Sequence, residues 1–252
     1  MSNISRRKLI TTGLAATAGV AGLAAASHFA RRYGLIPPDC GGIYGPGETL
    51  TYAAQRLLTR HSLAREFPRS MISRVPFANE TAPPSEAFKL HQAAGFSNWR
   101  LTVDGMVASP ASFSLSDLKA LPVHNQITEV TCEEGWSYVA EWIGTPLVNV
   151  LNAVGILPQA RYVVYFSIEP DWWESIDRSD ALHPQTFLTM GMNDGDLPVP
   201  FGGPLRLRVP RQLGYKSVKY ITRITATDSL KSFGKGLGSA SPEAGYAWYA
   251  GI

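Results

Sequence analysis

Thr131-Cys132-Glu133-Glu134-Gly135-Trp136-Ser137, followed after four residues by Trp142-Ile143-Gly144-Thr145-Pro146-Leu147, is the stretch on which the reading of this chain turns. Residues 126–132 alternate as a strand, and a cysteine at the strand end followed by Gly and Trp sets a thiol at a rim that another backbone can approach closely. Three chemistries suit such a thiol. It can close a disulfide with Cys40, the one other cysteine, as in many exported proteins. It can be a nucleophile served by a histidine such as His61, His124 or His183. It can be a soft ligand to a single metal whose other ligands come from a cofactor. Taken alone, the residues leave all three open.

Outward from this stretch the pattern is of short strands and turns. Trp99, Leu101 and Val103 share one face of a strand that ends in a turn at Gly105, and residues 162–168 and 220–227 are rich in β-branched and aromatic side chains. Leu205, Leu207 and Val209 face one way and Arg206 and Arg208 the other. Helical spacing is confined to short segments. In residues 51–67, Ala54, Leu57, Leu58 and Leu63 form the apolar face, and residues 114–121 and 147–154 add a turn or two each. Pro76, Pro83 and Pro84 leave residues 70–95 mostly loop. No strand–helix–strand rhythm recurs, so the expected class is α+β with a mainly mixed or antiparallel sheet and short helices.

The 252 residues are 45% hydrophobic and 17% charged, with no heptad run or fixed-period repeat, which excludes coiled coils, solenoids and wholly disordered chains. Two cysteines are too few for a disulfide scaffold or a four-ligand zinc site, and the histidines lack metal-ligand spacing. The formal charge of +3 is matched by Arg6, Arg7 and Lys8, so the rest of the chain is neutral and gives no electrostatic reason for a nucleic-acid partner. Those basic residues precede an uncharged run of small and moderately apolar residues, 9–26, that ends in Ala24-Ala25-Ala26. Ser5-Arg6-Arg7-Lys8-Leu9-Ile10 resembles the twin-arginine export signature, whose route carries proteins already folded around a cofactor. The expectation is a periplasmic protein with a leader over 1–32, a linker with one short helix over 33–69, and a single domain over 70–252. Arg31-Arg32, close behind the uncharged run, leave membrane association open.

Cys132-x-x-Gly-Trp-Ser…Trp-x-Gly-x-Pro-Leu resembles the sulfite oxidase-type molybdopterin oxidoreductases, which include the periplasmic protein-methionine-sulfoxide reductase catalytic subunits. The likeness continues in order through Trp99-x-Leu-x-Val-Asp-Gly, Glu174-Ser175-Ile176-Asp177, Asn193-Asp194-Gly195, Gly203-Pro204-Leu205-Arg206 and Gly214-Tyr215-Lys216-Ser217-Val218-Lys219. It implies the sulfite-oxidase-type molybdopterin-binding fold over about residues 70–230. By that resemblance Cys132 is the protein's ligand to molybdenum, Arg206 contacts the cofactor, and Ser217, Val218 and Lys219 cradle its phosphate. Ser167 and, from a poorly matched loop, Arg74 are further cofactor contacts. On the residues alone, Arg206 and Lys219 read as solvated surface charges, and Trp136, Trp142 and Pro146 as core.

The chain also departs from the family. Phe201 stands where relatives carry an Asn or His that reaches the cofactor, and Phe has no donor. The loop that bears Asn and Tyr in the methionine-sulfoxide reductases has no counterpart around Arg74–Asn79, and Trp172-Trp173 replaces tyrosine. Neither the segment before residue 70 nor the tail after Asp228 has room for a cytochrome or dimerisation domain. The expected activity is oxygen-atom transfer on a sulfoxide- or sulfite-like substrate, with electrons exchanged with a membrane haem subunit or a soluble cytochrome. A cysteine hydrolase, or an exported binding module with a Cys40–Cys132 disulfide, is the alternative.

Overall fold

The structure, a computed structural model, describes residues 22, 25, 26, 28–30, 33–79, 83 and 85–252. The leader expected over 1–32 lies largely outside these residues. The described elements are helix α1 (Pro46–Leu58), α2 (Glu86–Ala93), β1 (Arg100–Gly105), β2 (Ala111–Ser114), α3 (Leu115–Ala120), β3 (His124–Thr131), β4 (Ser137–Pro146), α4 (Leu147–Ala153), β5 (Tyr162–Ser167), β6 (Trp173–Asp177), α5 (Arg178–Ala181), β7 (Phe187–Met192), β8 (Gly195–Asp196), β9 (Arg206–Arg208), β10 (Ile221–Thr227) and α6 (Ala240–Glu243). The first sheet has the order β2-β1-β10-β5-β6, and the second the order β3-β4-β7-β8 with β9 also on β7. Only β1 and β10 run parallel; every other pair is antiparallel. The fold is the α+β arrangement that the alternation predicts.

Both sheets fill one core. Leu101, Val103, Val163 and Ile224 enter it from the first sheet, Leu188 and Leu207 from the second, and Val150 and Leu151 from α4. Along β1 the burial alternates as the period-two pattern requires. β5 and β7 are buried on nearly every residue, so they carry continuous apolar runs and no alternation. Helix α3 begins at a capping box: the Ser114 hydroxyl accepts from Asp117 N–H while the Asp117 carboxylate accepts from Ser114 N–H.

The Trp-x-Gly-x-Pro motif has a steric reason. A Cβ on Gly144 would stand 2.1 Å from the carbonyl oxygen of Leu188, because β4 shifts register against β7 between Ile143 and Gly144. Only glycine lets the two backbones meet there.

Residues 70–95 are mostly loop, as expected, with one α-helix among them: Ser85 caps α2 by accepting from Phe88 N–H, and Phe88 is buried on Trp99 and Tyr220. Pro83 and Pro84 therefore precede a helix start. The first helix spans Pro46–Leu58 and docks by the opposite face from the one expected. Glu48, Tyr52 and Arg56 are buried, whereas Leu57, Leu58 and Leu63 are exposed. Polar contacts override hydrophobic spacing here. Arg56 meets Asp177 at 2.7 Å and Asp180 at 2.6 Å, and Tyr52 donates to Asp177 at 2.9 Å.

A second buried pair fastens the tail. Lys216 Nζ reaches Glu174 at 2.6 Å, the other Glu174 oxygen accepts from Ser241 N–H at 2.9 Å, and Trp248 Nε1 donates to Ser175 at 2.8 Å. The tail residue Trp248 is thus part of the core.

Two outcomes test these assignments. Gly144→Ala should destabilise the domain by about 3 kcal/mol or more, read by denaturant unfolding, because the obstacle is backbone. His183 is buried, and burial, with Arg211 beside it, holds its imidazolium below the ordinary histidine range. The unfolded chain therefore takes up that proton first, so stability falls as pH drops through about 6.5. In His183→Gln that part of the loss should vanish from melting curves taken between pH 8 and 5.

Candidate active site

Cys132 follows β3 in a tight turn to β4. Its N–H donates to Trp136 O at 2.9 Å and its carbonyl accepts from Gly135 N–H at 3.1 Å, with Gly135 at φ +89°. The turn presents the thiol to a cavity of about 800 Å³, within the usual size of a cofactor or small-molecule site. The thiol is 6% exposed, lies 3.4 Å from the Glu133 carboxylate and 3.8 Å from that of Glu134, and is pushed up to about 12, first by burial and then by those acids. A thiol held protonated in this way is a poor nucleophile, and no histidine lines the cavity among the described residues. Cys132 and Cys40 are both free, the first buried and the second exposed, so the expected disulfide alternative is not formed. What remains is a soft atom that ionises when a metal displaces its proton.

The cavity lining carries two cations, Arg206 and Lys219, together with the acids Glu133, Glu134, Glu169 and Asp171. Arg206 lines the cavity and donates to the carbonyls of Phe201 at 2.8 Å and Ser217 at 2.6 Å. Arg208, two residues along β9, donates to Ser217 Oγ at 3.0 Å and Glu129 O at 3.0 Å. Both guanidiniums sit over the Trp142 ring, at 5.5 and 4.7 Å. Neither forms an ion pair among the described residues, and the Nε of each is buried without a partner. Burial lowers both, and for Arg208 burial and the neighbouring Arg206 push the guanidinium down to about 9. Two adjacent buried cations without a counter-ion are costly in a protein interior. An anionic group in the cavity would answer that charge.

The structure brings most of the expected residues together. Cys132, Ser167, Arg206, Ser217 and Lys219 all line this cavity. Ser167 Oγ accepts from Glu169 N–H, and Lys219 Nζ donates to Asn79 O at 2.5 Å. Ser217 anchors both arginines, Arg206 through its carbonyl and Arg208 through its hydroxyl, which also accepts from Val209 N–H. Val218 is a core residue whose carbonyl accepts from Leu207 N–H. Arg74 sits on an exposed bend outside the lining. The solvated-face reading of Arg206 fails because both faces of β9 are buried. Trp172 lines the cavity, whereas Trp173 packs on Phe166 and Phe233. Phe201 contributes a carbonyl to Arg206 where a side-chain donor was expected in relatives. Arg208 was passed over as a site residue, although its place beside Arg206 was legible in Arg-Leu-Arg. Tyr138 and Asn79 carried no sequence signal.

Among the described residues no group of three or more His, Cys, Asp or Glu side chains could hold a metal by itself. A metal at Cys132 must bring other ligands with it. One thiol that shares its cavity with a buried guanidinium fits a metal carried on an anionic, sulfur-bearing cofactor.

Comparison with known proteins agrees. The family described as "Oxidoreductase molybdopterin binding domain" matches residues 88–232. A putative protein-methionine-sulfoxide reductase subunit, YedZ1 of Azospira oryzae, is 37% identical over 195 residues, covering 77% of this chain and 70% of that protein. The protein-methionine-sulfoxide reductase catalytic subunit MsrP of Ralstonia nicotianae is 34% identical over 145 residues, 52% of this chain and 44% of that one. Among solved structures, the sulfane dehydrogenase SoxCD of Paracoccus pantotrophus superposes with a TM-score of 0.51 at 22% identity, over 53% of this chain and 39% of its own, which shows a shared fold. The chain belongs to the family described as the oxidoreductase molybdopterin binding domain, and molybdopterin is its cofactor.

Proposed function

We infer that this chain is the catalytic subunit of an exported sulfoxide reductase in which Cys132 is the protein's ligand to molybdenum. The observation that carries the reading is the single cavity shared by a buried thiol and by Arg206, with Arg208 behind it and no ion-pair partner for either cation among the described residues. When bound, molybdopterin supplies a metal able to exchange one oxygen atom and two electrons with a substrate. The chain's own residues do the rest. The Cys132 turn offers the sulfur ligand, Arg206, Arg208 and Lys219 supply positive charge toward the cofactor's phosphate, and Ser217 holds the two guanidiniums in place. Phe77 and Trp136, in tilted contact with ring centres 4.9 Å apart, form an apolar part of the wall that limits water.

The overall change is the conversion of a sulfoxide, two electrons and two protons to a thioether and water. Relatives named as methionine-sulfoxide reductase subunits favour this direction over sulfite oxidation. The word "subunit" in those names favours a separate electron donor, a membrane haem subunit or a soluble cytochrome. The twin arginines at Arg6-Arg7 support export to the periplasm, and no described helix is long and apolar enough to cross a membrane.

Cys132→Ser should keep the fold yet lower both molybdenum content and sulfoxide turnover, turnover by at least roughly a hundredfold; metal analysis and a reduced-dye assay on purified protein measure both, and full activity would sink the ligand assignment. Arg208→Met should raise the melting temperature of the cofactor-free protein, by about 2–4 °C for each kcal/mol of buried-charge cost removed. The same change should lower cofactor retention. A variant less stable without cofactor and fully loaded with it would show that the cation serves the fold alone.

A further inference from the structure

Helix α1 is inside out. Its charged and aromatic residues Glu48, Tyr52 and Arg56, spaced four apart, are buried against the domain. The opposite stripe, Leu50, Ala54, Leu57 and Leu58, faces outward, with the leucines 70%, 62% and 81% exposed. A soluble helix normally shows the reverse arrangement, and an exposed apolar stripe marks a surface that something covers. The stripe is not isolated. Eight of the seventeen exposed large apolar side chains among the described residues fall between Phe29 and Leu63, which includes Ile43 and Tyr44 just before the helix. The inversion is also fixed by contacts. Arg56 is held by Asp177 and Asp180 and stacks on Tyr249 at 4.6 Å, so the helix cannot roll its leucines inward without stranding a buried guanidinium.

The charge around the stripe identifies what covers it. From Thr49 to Arg65 there is no acidic residue, and Arg60 and Arg65 are exposed beside Leu57, Leu58 and Leu63. Upstream, Arg31 and Arg32 follow the uncharged residues 9–26. Glu66, next in sequence and exposed, offsets only one of the two arginines, and a two-fold dimer built on the stripe would double the remaining positive charge. A bilayer with anionic headgroups answers the leucines and the arginines together. The geometry points to α1 as a membrane-surface dock: the outward leucines sit in the interfacial region of an anionic lipid surface, and Arg60 and Arg65 meet the headgroups. The inference deepens the exported reading, since it sets the catalytic domain against a membrane that would hold its electron donor.

The test places a reporter on the stripe. The holoenzyme with Leu57→Cys in a Cys40→Ser background is labelled with an environment-sensitive fluorophore, Cys132 being buried, and mixed with vesicles of phosphatidylglycerol and phosphatidylcholine. The emission should shift to the blue and brighten, while the same label at Ser116, on α3, should not respond. The triple variant Leu50→Ser/Leu57→Ser/Leu58→Ser should lower vesicle partitioning by at least roughly tenfold in co-sedimentation. Arg60→Gln/Arg65→Gln should keep binding to concentrated vesicles but lose its salt sensitivity. A label that stays water-like on the vesicles, even where the protein co-sediments through another segment, overturns the proposal. So does a shift that appears with rising protein concentration alone, which would mean that a second copy covers the stripe. Neither readout uses molybdenum or turnover. Active enzyme without the shift refutes the dock and leaves the proposed function standing; a metal-free, inactive protein that still shows the shift does the opposite.

Discussion

Two guanidinium groups buried side by side on a three-residue strand set the terms for the rest of this molecule. Arg206 and Arg208 project from β9 on the side opposite Leu205 and Leu207, stack on Trp142, and are steadied by the carbonyl and hydroxyl of Ser217. Hydrogen bonds to neutral oxygens orient a cation but do not neutralise it. A fold that builds such a wall carries a cost until an anion arrives, and the geometry of the Cys132 turn places a thiol in the same cavity. On the proposed reading cofactor binding and stability are coupled: a bound anion would offset charge that has no ion-pair partner among the described residues.

The elements around the cavity are arranged to hold that wall rigid. Gly144 lets β4 close on β7, which brings Trp142 beneath the arginines. Lys216 is spent on Glu174 deep in the interior, so the segment 214–219 is pinned from below while Ser217 and Lys219 face the cavity. The tail is drawn in by the same pair, through Ser241 and Ser239, and contributes Tyr246 to the rim. The segment that carries Ser217 and Lys219 is thus backed by a buried polar cluster of Lys216, Glu174, Ser239 and Ser241.

How far the sequence could be read depended on which force shaped each element. Half-buried strands such as β1 and β3 alternate and were legible, and so was the Cys132 turn, because its neighbours belong to an ordered set of motifs. β7 is buried on both faces and β4 on most of its length, which erases the alternation that would have marked them. Helix α2 was hidden by prolines that mark its start. Helix α1 was legible as a helix and misread in orientation, since ion pairs with Asp177 and Asp180, more than 120 residues away, decide which face turns inward. Of the residues that line the cavity, Cys132, Arg206, Ser217 and Lys219 stand in local motifs and Ser167 at a strand end, which made their placement legible. Val218 turns its side chain into the core and stands in the motif for its main chain alone, whereas Arg74 lies on an exposed bend away from the cavity lining.

X-ray absorption at the molybdenum edge, on wild-type protein and on Cys132→Ser prepared alike, tests the central claim most directly. The account predicts that the wild-type metal has one more sulfur in its first coordination shell than any molybdenum retained by the variant. Equal sulfur counts in the two proteins would contradict it, and would leave Cys132 a buried thiol beside a metal that it does not bind.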